Sequence, residues 1–305
     1  MRVLIKHRIE YVALRALSGL FCVLPYRVAL AVGAGLAWIA FYILRFRVEE
    51  AMRRIQLVLG PECSGRQARR IAWISLRNLF FNGVEILRFP VMHRKWVETY
   101  VDIQCWGFIR ERSAGQTGAI LAVPHMGNWD LAGVGVSLLG VPIFFMARRQ
   151  KNPLTDAYLN RLRGVTGVET VLTDDSGALR KAVRNLKVGK VWALLPDVRA
   201  RETGIEVGFL GGMAALATGM DAFARRAHVP IVPACAYRYG WTKHRWVTFD
   251  PVLPDHSVDK ETDQRRIMEE VMTRFDAQIR SHPEQYFWYN KRWILDPLDP
   301  PVGKK

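Results

Sequence analysis

From Ala119 onward, short apolar runs alternate with amphipathic stretches, and that rhythm leaves few folds open to the chain. Ala119 to Val123 has strand length, carries no charge and stops at Pro124. A helical stretch follows from Asn128 to Leu139, then a second strand at Pro142 to Met146. Tyr158 to Gly164 reads as helix, Glu169 to Leu172 as strand, Gly177 to Leu186 as helix and Val191 to Leu195 as strand. A helix over Thr218 to Ala227 precedes strands at Ile231 to Tyr237 and Trp246 to Phe249. A long helix from Asp259 to Arg280 closes the series, and the tail Pro300 to Lys305 reads as loose. Strands alternating with helices predict an α/β fold with a mostly parallel central sheet flanked by helices.

The first part of the chain reads differently. Val28 to Leu44 contains no charged residue and is bounded by Arg27, Arg45 and Arg47. At ~1.5 Å per residue it reaches roughly 25 Å, against a hydrocarbon core of ~30 Å. Snorkelling arginines would make up the difference. Tyr11 to Leu24 is also apolar, broken by Arg15. Two readings stand: a membrane-associated helical hairpin, or helices buried in a soluble core. No A-x-A-like cleavage site follows the run. Pro61 and Gly65 mark a break, which divides the chain into N-terminal membrane-anchoring helices over residues 1–60 and a second domain over 61–305. Ser64 suits the N-cap of a long helix running to about Arg88 and ended by Phe89-Pro90.

Composition matters where it asks for a partner. The 305 residues carry 44 Lys plus Arg against 28 Asp plus Glu, a formal charge of +16. An excess this large attracts anionic partners: nucleic acid, an acidic membrane surface or phosphorylated substrates. The sequence has no zinc spacing, RNP-like motif or helix-turn-helix pattern, so nucleic acid is the least supported of the three. Half the residues are hydrophobic, which excludes a disordered chain. Four scattered cysteines, Cys22, Cys63, Cys105 and Cys235, exclude a disulfide scaffold and give no C-x-x-C pair. The histidines form no metal-binding pair, and His93, His228, His244, His256 and His282 read as surface or capping residues. Several tryptophans, among them Trp38, Trp106, Trp241, Trp288 and Trp293, suit an interfacial protein, whereas Trp73 reads as core.

The sharpest local feature is His125-Met-Gly-Asn-Trp-Asp130, between a strand and a helix. Open α/β sheets place their ligands at such points. Residues five apart lie ~140° apart around a helix, so His125 and Asp130 meet only if the chain turns at Gly127-Asn128. In that arrangement the carboxylate fixes the imidazole tautomer, and the other ring nitrogen takes a proton from a substrate hydroxyl. Backbone N–H groups of the following helix would stabilise an oxyanion. The plain alternative is an ordinary loop histidine. Arg148, Arg149, Lys151 and Asn152 follow the second strand, with Arg161 and Arg163 beyond. Guanidinium groups on that sheet edge would cradle phosphate, or simply form a solvated basic face. A third cluster, Leu195-Pro196-Asp197, leads into the glycine-rich Gly204 to Gly212, either a ligand-approaching loop or a plain hairpin.

Taken in order, AILAVPHMGNWD, RRQKNP with Arg161 to Gly164, LLPD at Leu194 to Asp197, GFLGGMAALATG at Gly208 to Gly219, and PEQYFWYNKRW at Pro283 to Trp293 resemble the bacterial lipid A biosynthesis acyltransferases of the lauroyl and myristoyl type. That group lies within the H-x-x-x-x-D glycerolipid acyltransferases, and the resemblance covers nearly the whole chain. It implies transfer of a fatty acyl chain from an acyl thioester, acyl carrier protein or coenzyme A, to a hydroxyl of an anionic lipid such as a lipid A precursor. No other cofactor and no metal is implied. The setting it implies is the inner membrane, with the catalytic domain facing the cytoplasm. His125 takes the role of general base and Asp130 that of its orienting partner. Asn128, Arg148, Arg149, Arg161, Arg163, Asp197, Gly208, Phe209 and Gly211 take substrate-binding roles.

The chain departs from the family pattern at Val198-Arg199, at Phe209-Leu210-Gly211 and at Asn290. These changes leave the acceptor open among lipid A precursors, other glycolipids and lysophospholipids. Arg199 and Arg201 would add an anion contact or form a surface loop. A thioesterase or lipid hydrolase using the same dyad is the remaining alternative, although no G-x-S-x-G elbow is present.

Overall fold

Five parallel strands, mostly apolar, need cover on both faces, and the helices supply it. The computed structural model describes residues 4–115, 117–200, 204–217 and 219–296. Helices α1 (Ile5–Val23) and α2 (Tyr26–Trp38) begin the chain, and α2 widens into a π-helical turn at Ile39–Ile43. Then come α3 (Val48–Leu59), α4 (Gly65–Leu87) and α5 (Arg94–Tyr100). The α/β part runs β1 (Val101–Ile103), α6 (Trp106–Ser113), β2 (Ala119–Ala122), α7 (Trp129–Leu138), β3 (Ile143–Ala147), α8 (Pro153–Gly164) and β4 (Glu169–Leu172). It continues with α9 (Ala178–Lys187), β5 (Val191–Leu194), β6 (Ile205–Phe209), β7 (Gly212–Leu216), α10 (Met220–Ala227), β8 (Ile231–Tyr239), β9 (Lys243–Thr248) and α11 (Lys260–Ser281).

The main sheet has the order β1-β9-β8-β2-β5-β3-β4. β8, β2, β5, β3 and β4 are parallel. The β8–β9 hairpin is antiparallel, and β1 joins the edge parallel to β9. The sheet is therefore mostly parallel, as the alternating pattern predicts. Gly204 to Gly212 forms the separate hairpin β6–β7 with a tight turn at Leu210-Gly211, the plain alternative for that segment.

Two buried cores flank the sheet. One gathers Ile120, Phe144 and Trp192 with Ala182 of α9, Ala224 of α10 and Phe275 of α11. The other gathers Leu121, Val123 and Ile143 with Leu131 of α7, Leu162 of α8 and Leu30 of α2. α4 reaches both, with Leu76 in the first and Phe81 in the second. Its start is fixed as the sequence predicts, with the Ser64 hydroxyl accepting from the Gln67 N–H at 3.2 Å. Asp259 caps α11 in the same way.

The apolar N-terminal segment forms a helical pair that packs on the rest. α2 buries Ala29, Leu30, Gly33 and Ala37, and Gly33 lies so close to Val84 of α4 that no side chain fits there. Its other side leaves Val28, Val32, Leu36, Ile39 and Ile43 exposed. The window Tyr26–Ile43 is long and apolar enough to cross a membrane, with 39% of it buried inside the protein. Trp38, Trp106 and Trp241 are exposed, but Trp288 and Trp293 are buried, so those two belong to the core. His244 is likewise buried, not a surface residue. Thr218, Arg201 and the tail Pro300 to Lys305 lie outside the described residues.

Candidate active site

The register of two neighbouring strands builds the site. β2 and β5 pair with Ala122 opposite Leu194, and the Val123 N–H bonds the Leu194 carbonyl at 2.9 Å. Each strand then runs through a proline, Pro124 and Pro196, into His125 and Asp197. Adjacent strands lie ~4.8 Å apart, so positions equally far beyond a paired couple face each other. The outcome is direct contact: His125 Nδ1 lies 2.8 Å from Asp197 Oδ1, and the His125 backbone N–H donates to Asp197 Oδ2 at 2.8 Å. An ionised carboxylate only accepts, so Nδ1 carries the proton and Nε2 presents a lone pair. The Asp197 side chain is 0% exposed and that of His125 18%. Burial disfavours the imidazolium most strongly. The Asp197 charge and hydrogen bond outweigh it, the Asp130 charge adds to them, and the His125 pKa ends raised above its usual value.

Asp130 does not make the contact that the H-x-x-x-x-D spacing predicts. It sits in the first turn of α7 and accepts from Arg163 of α8 at 3.0 and 3.3 Å. The physical reason is the turn at Gly127. Its φ of +60° directs the chain away from β2, and a Cβ there would collide with the Ala236 carbonyl. The turn is clamped from three sides. The Gly127 N–H donates to the Gln285 carbonyl at 2.9 Å, the Gly127 carbonyl accepts from Asn82 Nδ2 at 2.6 Å, and the Phe287 N–H donates to the His125 carbonyl at 2.9 Å. Asn128, expected to bind substrate, is buried: it caps α7 through Leu131 at 3.0 Å and donates to Glu85.

Behind that turn lies a fully buried ionic cluster. Glu85 of α4 accepts from Arg238 of β8 at 2.6 and 2.7 Å, and also contacts the Tyr26 hydroxyl and, at 3.2 Å, His244 Nε2. Arg238 also donates to Asn82 at 3.0 Å. Burial alone would raise the Glu85 pKa, but Arg238 and then His244 outweigh it and hold the carboxylate ionised. Burial is the largest influence on His244 and lowers its pKa, so that ring stays neutral.

In front of His125 opens a cavity of about 420 Å³. Val123, Trp129, Phe145, Met146, Leu194, Leu195 and Val198 give it apolar walls, and Asp130 and Arg163 form a polar side. Trp129 meets the His125 ring edge-on at 5.0 Å between centroids, with Phe287 at 6.4 Å. Gly133 has no room for a side chain because the Phe145 ring occupies that space. Burial pushes the thiol of nearby Cys235 up to about 12, so it is no nucleophile at neutral pH.

A family model described as bacterial lipid A biosynthesis acyltransferase matches residues 4–294. The chain belongs to the bacterial lipid A biosynthesis acyltransferase family. Curated relatives include a phosphatidylinositol mannoside acyltransferase of Mycobacterium tuberculosis (strain CDC 1551 / Oshkosh), 25% identical over 70% of this chain and 66% of the relative. One of the same name from Mycolicibacterium smegmatis is 24% identical over 70% and 69%. A lipid A biosynthesis acyltransferase of Haemophilus influenzae is 24% identical over 59% of this chain and 55% of the relative. The chain thus spans about two thirds or less of the length of the first relatives and of the last.

In this member of the acyltransferase family, the remaining sequence candidates separate into three groups. Arg163 lines the cavity but is held by Asp130. Arg149 is tied to Asp174 at 2.9 Å and to Asp175, while the exposed side chains of Arg148 and Arg161 have no bonded partner among the described residues. Gly208, Phe209 and Gly211 belong to the β6–β7 hairpin and do not line the cavity; Phe209 is buried in the core beside α11. Arg199 is buried and donates to the Asp296 carbonyl at 3.5 Å, so it is no surface loop residue. Asn290 gives its carbonyl to Arg54 at 2.7 Å, which pins the C-terminal segment over the turn. Sequence reasoning missed Phe287 and Gln285, whose only signal was the PEQYFW run itself, and it did not bring Asp197 to His125.

Proposed function

We propose that the protein transfers a fatty acyl chain from an acyl thioester, acyl carrier protein foremost, to a hydroxyl of an anionic lipid at the cytoplasmic face of the inner membrane. The observation that carries this reading is the Asp197–His125 pair, with Nε2 unbonded among the described residues at the mouth of an apolar cavity. His125 Nε2 takes the proton of the acceptor hydroxyl as its oxygen bonds to the thioester carbonyl carbon. Asp197 stabilises the imidazolium that results. The tetrahedral oxyanion sits by the first turn of α7, where the Trp129 and Asp130 N–H groups have no intrahelical acceptor. As the carbonyl re-forms, the C–S bond breaks and His125 returns its proton to the leaving sulfur. The acyl chain lies against Trp129, Phe145 and Leu195, each buried CH₂ contributing ~0.8 kcal/mol. Arg148 and Arg161, unpaired among the described residues, offer guanidinium groups to acceptor phosphates.

The N-terminal helices support membrane association. Ile5, Ile9, Val12, Leu20 and Val23 of α1 and Val28, Val32 and Leu36 of α2 form exposed apolar faces, with Arg8, Arg15, Arg27, Arg45 and Arg47 about them. Such a surface seats in the headgroup region of anionic lipid. On this reading residues 1–60 anchor and 61–305 catalyse.

The acceptor has two candidates. A lipid A precursor follows from the family. Another glycolipid is favoured by the relatives that are named phosphatidylinositol mannoside acyltransferases. The test is incubation of purified protein with acyl-carrier protein and each lipid, measuring acyl transfer and free fatty acid. Acceptor-dependent transfer is expected. Fatty acid release indifferent to acceptor would establish a hydrolase instead. Comparing total lipids from cells with and without the protein by mass spectrometry names acceptor and chain length.

A further inference from the structure

Helix α9 presents a cationic face that nothing in the described structure neutralises. It buries Ala178, Ala182 and Leu186 against the sheet and turns Arg180, Arg184 and Lys187 to solvent. None of the three side chains has a hydrogen bond or ion pair among the described residues. The acids nearby are already engaged. Glu169 takes Lys181 and Lys190, each at 2.7 Å, and Asp174 and Asp175 hold Arg149. Two exposed aliphatic side chains flank it on opposite sides, Leu179 at 63% exposure and Val188, just past the helix end, at 64%. A cationic stripe bordered by exposed aliphatics makes a surface suited to an acidic protein with apolar contacts at its edges.

Its position ties the face to the site. The Thr173 N–H, at the exit of β4, donates to the Ala147 carbonyl at 2.9 Å, and Ala147 lines the cavity before His125. Arg149, just beyond Ala147, clasps the turn that opens α9. The first turn of α9 therefore adjoins the rim of the cavity. α9 also packs on the sheet face opposite α1 and the body of α2. α9 is buried in the core on one side of the sheet; α1 and the body of α2 bury Phe21, Ala29 and Leu30 in the core on the other, and only the π-helical end of α2 reaches the first core, at Phe41. A membrane held by the exposed α1–α2 faces leaves α9 open to a soluble partner.

We infer that α9 is the docking surface for the acyl donor's carrier, an acidic protein that delivers its thioester over the rim at Ala147. This rests on the acyl-transfer reading above. The test uses the full chain with Arg180→Glu, Arg184→Glu and Lys187→Glu combined, and with the three as alanines. Donors are acyl-carrier protein, acyl-coenzyme A and a carrier-free acyl-pantetheine. Charge reversal is expected to lower kcat/KM with acyl-carrier protein about tenfold or more, through KM and steepest at low salt, with the alanine variant between. Acyl-pantetheine turnover stays within about twofold. Equal losses with acyl-coenzyme A and acyl-carrier protein would replace protein docking by simple phosphate binding and overturn the proposal. So would an unchanged rate with acyl-carrier protein. Titration with the unacylated carrier reads docking apart from catalysis. If wild type transfers from no donor, the acyl-transfer reading fails; if carrier binding is indifferent to the substitutions, the docking surface fails.

Discussion

The described residues hold two carboxylate–histidine contacts, and their surroundings differ. Asp197 meets His125 at 2.8 Å and Glu85 meets His244 at 3.2 Å. Around Glu85 there is also Arg238, and the carboxylate charge is spent on the guanidinium. His244, sealed in and near that cation, stays neutral. Among the described residues no hydrogen bond joins Asp197 to a cation other than His125, so its charge acts on His125, whose pKa rises. The His125 ring also keeps an edge toward a cavity. A histidine–carboxylate contact thus becomes usable when the carboxylate has no other cation and the far ring nitrogen has somewhere to work. Without those two conditions it is scaffolding, and here the scaffold holds Asn128 and, through Arg238 and Asn82, the Gly127 turn.

Substitutions that treat the two contacts alike should give opposite phenotypes. His125→Ala is expected to lower acyl transfer by ~10²–10⁴-fold with the far-UV circular dichroism unchanged; near-wild-type turnover would remove His125 from the chemistry. Glu85→Ala leaves Arg238 buried without its counter-ion, and a loss of roughly 3–5 kcal/mol in unfolding free energy is expected from denaturant titration. Asp130→Asn frees Arg163 and removes a charge that acts on His125 from a distance. The acidic limb of its pH–rate profile should move to lower pH, but by less than in Asp197→Asn. His244→Gln should be the mildest, about 1 kcal/mol in stability, with the acidic limb where wild type has it. A limb that moved in this variant would break the distinction between the two contacts.

Much of the fold was legible because its signals are local. Apolar runs ending in prolines mark β2 and β5, and Ser64 and Asp259 cap their helices where hydroxyl and carboxylate caps belong. The stretch from Arg94 to Ser113 was not legible: α5, β1 and α6 are short, and β1 exists only through pairing with β9, distant in sequence. At the site, His125 was read from its motif. The partner was misread because five-residue spacing invites a local pair, whereas the contact depends on register between strands that are far apart in sequence. A trace was there: Val123-Pro-His125 and Leu195-Pro-Asp197 are matched strand exits. The arginines could not be sorted by sequence, since whether Arg149 or Arg161 is free depends on where Asp174 and Asp175 fold back.

The central claim is that Asp197 tunes and orients His125 as the base. Activity needs neutral Nε2, so the rate falls as pH drops through the His125 pKa, which lies above the ordinary ~6.5. In Asp197→Asn the largest upward influence is gone and burial, which lowers the pKa, remains. The kcat/KM profile of wild type and Asp197→Asn should therefore show an acidic limb above ~6.5 that moves to lower pH in the variant, with the plateau down by ~10²-fold or more. An unmoved limb with an undiminished plateau would contradict the account.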